Sequence, residues 1–365
     1  MVVILYIYKY ILKIIYFFLK LIPTKKNRIL MLSRQSDTPS IDFQYIINEI
    51  KEKYPEKELI ILTKRMEKTN LKQIISYFLH PIKQMYYLAT STICIIDGYQ
   101  IAVSVLKHKK NLKIIQIWHS LAAIKKFGYQ TLNSKKDQRI AKVMCMHKNY
   151  DAIVSGSEEM KKHFSKAFNY PEDKFITCGL PRIDYLIKTE NQNKTKVYKE
   201  YPELKKEKIV VYVPTFRIYD EYKFDELIEA FKKTNYKLII KIHPRIKVEL
   251  DEKYTYPKCN SLEFLSVADY VITDYSAAAI ESAILNKPIL LYIYDYEKYS
   301  KYEGVNTNLY KDLPGYVFKE AKELVNCIKT KKYDQSVLTK YRKKYVTVCD
   351  GTSTEKLVKY IMEEL

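Results

Sequence analysis

Four polar clusters in this 365-residue chain each follow a run of β-branched or other apolar residues. The first is Gln116-Ile117-Trp118-His119-Ser120. A histidine at the end of an apolar strand can accept a proton near neutral pH, since the unperturbed imidazole pKa is about 6.5. The plain alternative is a histidine satisfied by hydrogen bonds in the core. The second cluster, Val213-Pro214-Thr215-Phe216-Arg217, puts a hydroxyl and a guanidinium after a strand, a pair suited to phosphate. The third, Lys241-Ile242-His243-Pro244-Arg245, sets another histidine at a strand end with a basic residue on either side. The fourth runs from Asp269 through Thr273, Asp274, Tyr275 and Ser276 into Ala277. There the strand stops near Asp274, Ser276 is a good N-cap, and Ala277 to Asn286 favours helix. A helix N-terminus with free N–H groups attracts phosphate. Glu281, one turn in, has the reach for ribose hydroxyls, and fits an ordinary helix glutamate equally well.

The elements that must position these clusters read as α/β. Strands are predicted at 29–33, 59–63, 93–97, 113–118, 152–155 and 175–178, then at 209–213, 237–242, 270–273 and 289–292. Continuous apolar runs with helical pattern between them suit parallel sheets covered on both faces. A polar stretch at 188–208, containing Asn191-Gln192-Asn193-Lys194, reads as a linker between a domain at 27–187 and a second at 209–365. The last helix is free to pack back on the first domain. Two doubly wound halves would bind ligands in a cleft at the carboxyl ends of their sheets. No G-x-G-x-x-G or P-loop pattern is present, so dinucleotide and ATP readings lose their main support.

Residues 1–23 read as an amphipathic membrane helix. Lys9, Lys13 and Lys20 fall within about 40° of one another around a helix, with Ile, Leu, Val and Phe over most of the remaining arc. A spanning helix would hold Lys9 and Lys13 near mid-bilayer at roughly 2.5–3.5 kcal/mol each. Lying in the interface removes that cost, with the lysines toward anionic headgroups. Pro23 ends the helix, and Lys25, Lys26 and Arg28 add charge, so residues 1–28 are expected to meet an anionic membrane surface. The chain as a whole carries 63 Lys and Arg against 42 Asp and Glu, a net charge of +21. That excess suits a polyanionic partner or an AT-rich coding bias. The six cysteines form no CxxC pair and read as buried free thiols of a reducing compartment. No metal-ligand cluster is evident, and no nucleic-acid-reading motif accompanies the scattered lysines.

In order and type, Trp118-His119, Pro181-Arg182-Ile183-Asp184, Pro214-Thr215-Phe216-Arg217, His243-Pro244 and Thr273-Asp274-Tyr275-Ser276 resemble the CDP-glycerol/CDP-ribitol polyol-phosphate transferases of teichoic acid and capsule synthesis. Tyr292-Ile293-Tyr294-Asp295, Tyr299, Gly304 and Asp312-Leu313-Pro314-Gly315 extend the likeness, which runs from about Asn27 to Gly351. The resemblance implies a GT-B-like pair of Rossmann-like domains, an acceptor side followed by a CDP-polyol-binding side. It also implies peripheral attachment at the cytoplasmic face of the cell membrane, and chemistry without a metal or other cofactor. By position His119 resembles the proposed base, and His243 a second essential histidine near the diphosphate. Ser157, Arg182, Thr215, Phe216, Arg217, Arg245, Thr273, Asp274, Ser276, Ala277 and Glu281 resemble ligand-binding positions. Glycerol-phosphate members usually read Trp-His-Gly-Thr-Pro where this chain has Trp118-His119-Ser120-Leu121-Ala122, and Ala123 to Gly128 looks closer to the ribitol-phosphate branch. Ala277 stands where many members have a serine.

The implied reaction moves glycerol phosphate or ribitol phosphate from CDP-glycerol or CDP-ribitol to a hydroxyl of a polyprenyl-diphosphate-linked glycan, releasing CMP. The alternative on the same fold is a glycosyltransferase that uses a nucleotide-sugar for capsule or cell-wall glycan. A nucleic-acid-binding protein and a catalytically silent member of a synthesis complex are the readings from other classes.

Overall fold

The computed structural model describes residues 2–65, 71–219, 221–243, 246–330 and 332–364. Two compact units divide the chain. The first takes Met1–Ser120, Gly128–Arg182 and Thr352–Leu365; the second takes Leu121–Phe127 and Ile183–Gly351.

Six parallel strands form the sheet of the first unit: β1 (Arg28–Ser33), β2 (Glu58–Thr63), β3 (Ile93–Ile96), β4 (Lys113–Gln116), β5 (Ala152–Val154) and β6 (Phe175–Ile176). Their spatial order is β2-β1-β3-β4-β5-β6, with Leu30 opposite both Ile60 and Cys94. Every residue of β1 is buried, as expected of a strand covered on both faces. The second unit repeats the plan with β7 (Lys208–Tyr212), β8 (Tyr236–Ile240), β9 (Tyr270–Thr273), β10 (Ile289–Tyr292) and β11 (Val317–Phe318), in the order β11-β10-β9-β7-β8. In each sheet the order reverses beside the first strand. The two switch points therefore lie at the carboxyl ends of β1 and β3, and of β7 and β9, where such sheets bind ligands.

The ten predicted strands all form, mostly one or two residues shorter at the carboxyl end. The reason at β4 is local. The Gln116 side-chain carbonyl accepts the Trp118 N–H at 2.9 Å, and Trp118 takes a left-handed backbone with φ 58°. That turn ends the strand and lifts His119 off the sheet. The two-residue edge strand β11 is too short to stand out in an apolar pattern.

The polar stretch 188–208 is not a linker. The helix Pro181–Glu200 runs through its first part and a 3₁₀ turn, Pro202–Lys206, follows. Ile183, Leu186, Val197 and Leu204 are buried, while Tyr185, Thr189 and Asn193 bond to one another across successive turns. The polarity belongs to one side of an amphipathic helix. Residues 121–127 group with the second unit because Lys125 pairs with Val305 and Asn306 donates to the Ala123 carbonyl at 2.9 Å. Thr352–Leu365 groups with the first unit, where Lys53 meets Glu355 at 2.9 Å.

The N-terminal helix, Val2–Leu19, is turned differently from the expectation. Leu12 and Tyr16 are its buried residues, Tyr16 bonds His108 Nδ1 at 2.9 Å, and Lys9 donates to the Val143 carbonyl at 2.7 Å. The side carrying Lys9 and Tyr16 thus packs on the first unit. Ile4, Ile7, Ile11, Ile14, Phe17 and Phe18 lie on the exposed side. A lysine that can bond protein carbonyls has no need of lipid headgroups, and the apolar arc is left as the outward face. Of the cysteines, Cys94, Cys259 and Cys327 are buried free thiols, whereas Cys349 is exposed.

Candidate functional site

In the first unit the carboxyl ends of β1, β3 and β4 bring Ser33, Gln35, Asp97 and His119 together. His119 is half-buried, and its Nδ1 lies 2.9 Å from the Asp97 main-chain carbonyl. A carbonyl only accepts, so this contact is made by the tautomer with its hydrogen on Nδ1, the form that leaves a lone pair on Nε2 as a base requires. The Gln35 amide nitrogen, which only donates, lies 3.3 Å from the same nitrogen and bonds it in the other tautomer, so the shorter Asp97 contact is the one that favours a hydrogen on Nδ1; the Trp118 ring packs at 4.1 Å from the imidazole. Trp118 is held in turn by Phe168 at 5.2 Å and by His147 at 6.1 Å. His147 is itself enclosed, and burial followed by the nearby Arg34 charge pushes its pKa down to about 3, so it serves as a neutral packing ring.

Asp97 was not among the expected site residues. Its Oδ2 accepts from the Ser33 hydroxyl at 2.7 Å, and its Oδ1 is buried with no hydrogen-bond partner among the described residues. Burial pushes the carboxyl up to about 7, opposed by the Ser33 bond and reinforced by Asp42. The folded protein therefore keeps a proton that an unfolded aspartate releases near pH 4, so this group makes stability fall as pH rises from about 4 to about 7. Asp97→Asn should remove that loss. Melting temperatures measured across the interval are expected to decline more steeply for the parent than for the variant; parallel curves would refute the assignment.

Arg182 opens the helix Pro181–Glu200 and is gripped by Asp42, which is buried. Its Nε donates to Asp42 Oδ2 at 2.9 Å, and its main-chain N–H to Oδ1 at 2.9 Å. Ser157, expected as a ligand position, is buried and caps the helix Glu158–Phe168 by accepting the Met160 N–H at 3.2 Å.

At the switch point of the second unit, four expected binding residues prove to be buried among themselves. Thr215 donates its main-chain N–H at 3.0 Å to Oδ1 of Asp274, and its hydroxyl bonds the same oxygen. Thr273 donates to the Val213 carbonyl at 2.8 Å. Arg217 is wholly buried: Nη1 lies 3.0 Å from Asp274 Oδ2, and Nε and Nη2 reach both oxygens of Asp295. The Tyr294 ring lies 4.7 Å from the guanidinium, and Tyr219 and Tyr275 donate to Asp295. Burial opposes the Arg217 charge, but Asp274 and the Asp295 bonds outweigh it and hold its pKa above the usual value. Burial likewise opposes the Asp295 charge, and the Arg217 bonds prevail to lower its pKa. Four of the five guanidinium hydrogens are thus committed within the protein, and Thr215, Arg217, Thr273 and Asp274 form one buried, hydrogen-bonded cluster.

What remains open is the rim above them. Phe216 and Ser276 are half-exposed, His243 is exposed, and the Phe216 and His243 rings lie 6.1 Å apart. Ser276 accepts the Ala278 N–H at 3.2 Å, and the helix Ala278–Ile284 starts after Ala277, one residue later than expected. Ala277 is half-exposed and Glu281 is nearly buried on that helix. Arg245 lies outside the described residues. Among the described residues no group of three or more His, Cys, Asp or Glu side chains is placed to hold a metal ion.

Sequence comparison finds relatives along nearly the whole chain. The chain is 30% identical to the teichoic acid glycerol-phosphate primase of Bacillus subtilis, over 97% of its own length and 96% of the relative's. It is 26% identical to the teichoic acid ribitol-phosphate primase of Bacillus spizizenii, over 93% and 92%. In three dimensions it resembles the wall teichoic acid polymerase TagF with a TM-score of 0.72 at 20% identity, covering 97% of this chain and 93% of that one, a likeness of GT-B-like fold. Residues 14–363 match the model of the CDP-glycerol:poly(glycerophosphate) glycerophosphotransferases, and the chain belongs to that family.

Proposed function

We propose that this protein transfers glycerol phosphate or ribitol phosphate from its CDP-activated form to a hydroxyl of a lipid-linked acceptor in teichoic acid synthesis. The observation that carries the reading is the match to this transferase family over residues 14–363, and His119 stands at the carboxyl end of β4 with its Nδ1 2.9 Å from the Asp97 carbonyl. His119 Nε2 takes the proton of the acceptor hydroxyl, whose oxygen attacks the polyol-bearing phosphorus. The bond from that phosphorus to the CMP oxygen breaks, and CMP leaves with the bonding pair. His243 and the helix start at Ser276 face the phosphates, and Glu281 the ribose, so catalysis is positioning and charge stabilisation. Arg217 supports this surface from beneath, and Arg182 is set by Asp42.

The N-terminal helix attaches the protein to the bilayer by its outward apolar arc. Free thiols and a nucleotide donor fit the cytoplasmic face of the membrane. Charge comes less from Lys9 than from the neighbouring helix Lys135–Val143, where Lys135, Lys136, Arg139 and Lys142 stand against one acid, Asp137. Phe17→Glu with Phe18→Glu should lower cosedimentation with phosphatidylglycerol vesicles by about tenfold or more, since each buried aromatic contributes roughly 1.5–3 kcal/mol. Activity on detergent-dispersed acceptor should persist; undiminished vesicle binding would reject this face.

The test of the function is CMP release by the purified protein in detergent with a lipid-linked acceptor extract, comparing CDP-glycerol with CDP-ribitol. Acceptor-dependent release from one donor is expected. Release from neither, where a reference transferase uses the same extract, would overturn the reading.

A further inference from the structure

The first unit holds a cavity apart from the residues gathered around His119. It has a volume of about 300 Å³ and is lined by Tyr129, Leu132, Ala141 and Cys145 together with Lys142 and Lys148. Most of the surface it presents is apolar, and no carboxylate pairs with Lys142 or Lys148 among the described residues. An apolar wall beside two available ammonium groups suits an amphiphile whose chain ends in an anion.

Its neighbours narrow the choice. Cys145, in the cavity wall, accepts from Lys9 Nζ of the N-terminal helix at 3.0 Å. The cavity therefore adjoins the element whose outward face is apolar. Tyr129, also in the wall, donates to the Met146 carbonyl at 2.8 Å, and the next residue, His147, packs on Trp118, which packs on His119. The volume lies at the lower end of the roughly 300–1,000 Å³ of small-molecule sites, enough for the head of a lipid and not for a long chain.

We propose, resting on the transferase reading above, that this cavity seats the diphosphate and first isoprene units of the lipid-linked acceptor. The remainder of the lipid stays in the bilayer beside the N-terminal helix. Lys142 and Lys148 meet the diphosphate, and Leu132, Ala141 and Tyr129 meet the chain. Held there, the acceptor presents its glycan toward His119 from a fixed membrane-side anchor.

The test uses the full chain in detergent with farnesyl diphosphate as probe, and inorganic diphosphate and farnesol as controls. Farnesyl diphosphate should bind directly and compete with the acceptor, with each control weaker by about tenfold or more, because only the whole probe engages both parts of the cavity. Lys142→Glu with Lys148→Glu, both at exposed positions, should weaken the probe and raise the acceptor KM by about tenfold or more while leaving the donor KM within about twofold. Inorganic diphosphate binding as well as the probe would reduce the site to an anion patch and overturn the proposal. So would an unchanged probe affinity in the variant, whether or not vesicle binding falls. Absence of CMP release from the parent protein would instead strike the transferase reading, which the direct binding measurement keeps separate.

Discussion

Replacing His119 by alanine should lower acceptor-dependent CMP release by roughly 10²–10⁴-fold, the contribution of a positioned general base. The donor KM should move little, because the residues proposed to face the nucleotide belong to the second sheet. Folding should also be spared, because His119 is half-exposed. Asn in place of His is the sharper variant. Its amide nitrogen can keep the donation to the Asp97 carbonyl while offering no basic nitrogen to the acceptor. If His119→Asn retained near-parental turnover with an unchanged melting temperature, the imidazole would be a structural ring and the base would lie elsewhere. A matched loss in both variants, with intact circular dichroism, fixes the role on the ring nitrogen.

The second large effect is on stability. Arg217→Met should destabilise the protein by about 3–5 kcal/mol, because it leaves Asp274 and Asp295 buried without their countercharge. Neighbouring hydroxyls from Tyr219 and Tyr275 remain, but they are dipoles and cannot replace a cation. The pH dependence carries the same signature. The lowered Asp295 pKa contributes stability that is present above the unfolded value near 4 and is lost as pH falls through the folded value. The variant should lose that acid-side dependence, so its melting temperature approaches the parent's in acid. A variant that melts normally and shows only a raised donor KM would place Arg217 back against the phosphates.

Both predictions turn on contacts between residues far apart in the chain, and there the reading of one sequence stops. The alternation of apolar runs with amphipathic stretches was enough to locate ten strands, since buried parallel strands demand unbroken apolar residues wherever they occur. Polar residues just beyond those runs were enough to mark His119, Thr215, His243 and Ser276 as strand-end groups, because parallel sheets place their loops, and hence their ligands, at those ends. The apolar character of the N-terminal helix was legible for a similar local reason.

Which side each group presents was not. Arg217 and Asp295 are 78 positions apart, and Arg182 and Asp42 are 140 apart, so nothing near either arginine tells which carboxylate holds it. Lys9 looked like a headgroup ligand because its periodicity is that of an interfacial helix; a main-chain carbonyl 134 residues away turned it inward. The 188–208 stretch looked like a linker because its polar residues outnumber its apolar ones, yet a few buried side chains suffice to hold a helix. Composition and period, properties of neighbours in sequence, therefore determined the elements and the chemistry at their ends. Burial, pairing and tautomer are set by partners that only folding brings within a few ångströms, and they decided which of those ends is surface and which is foundation.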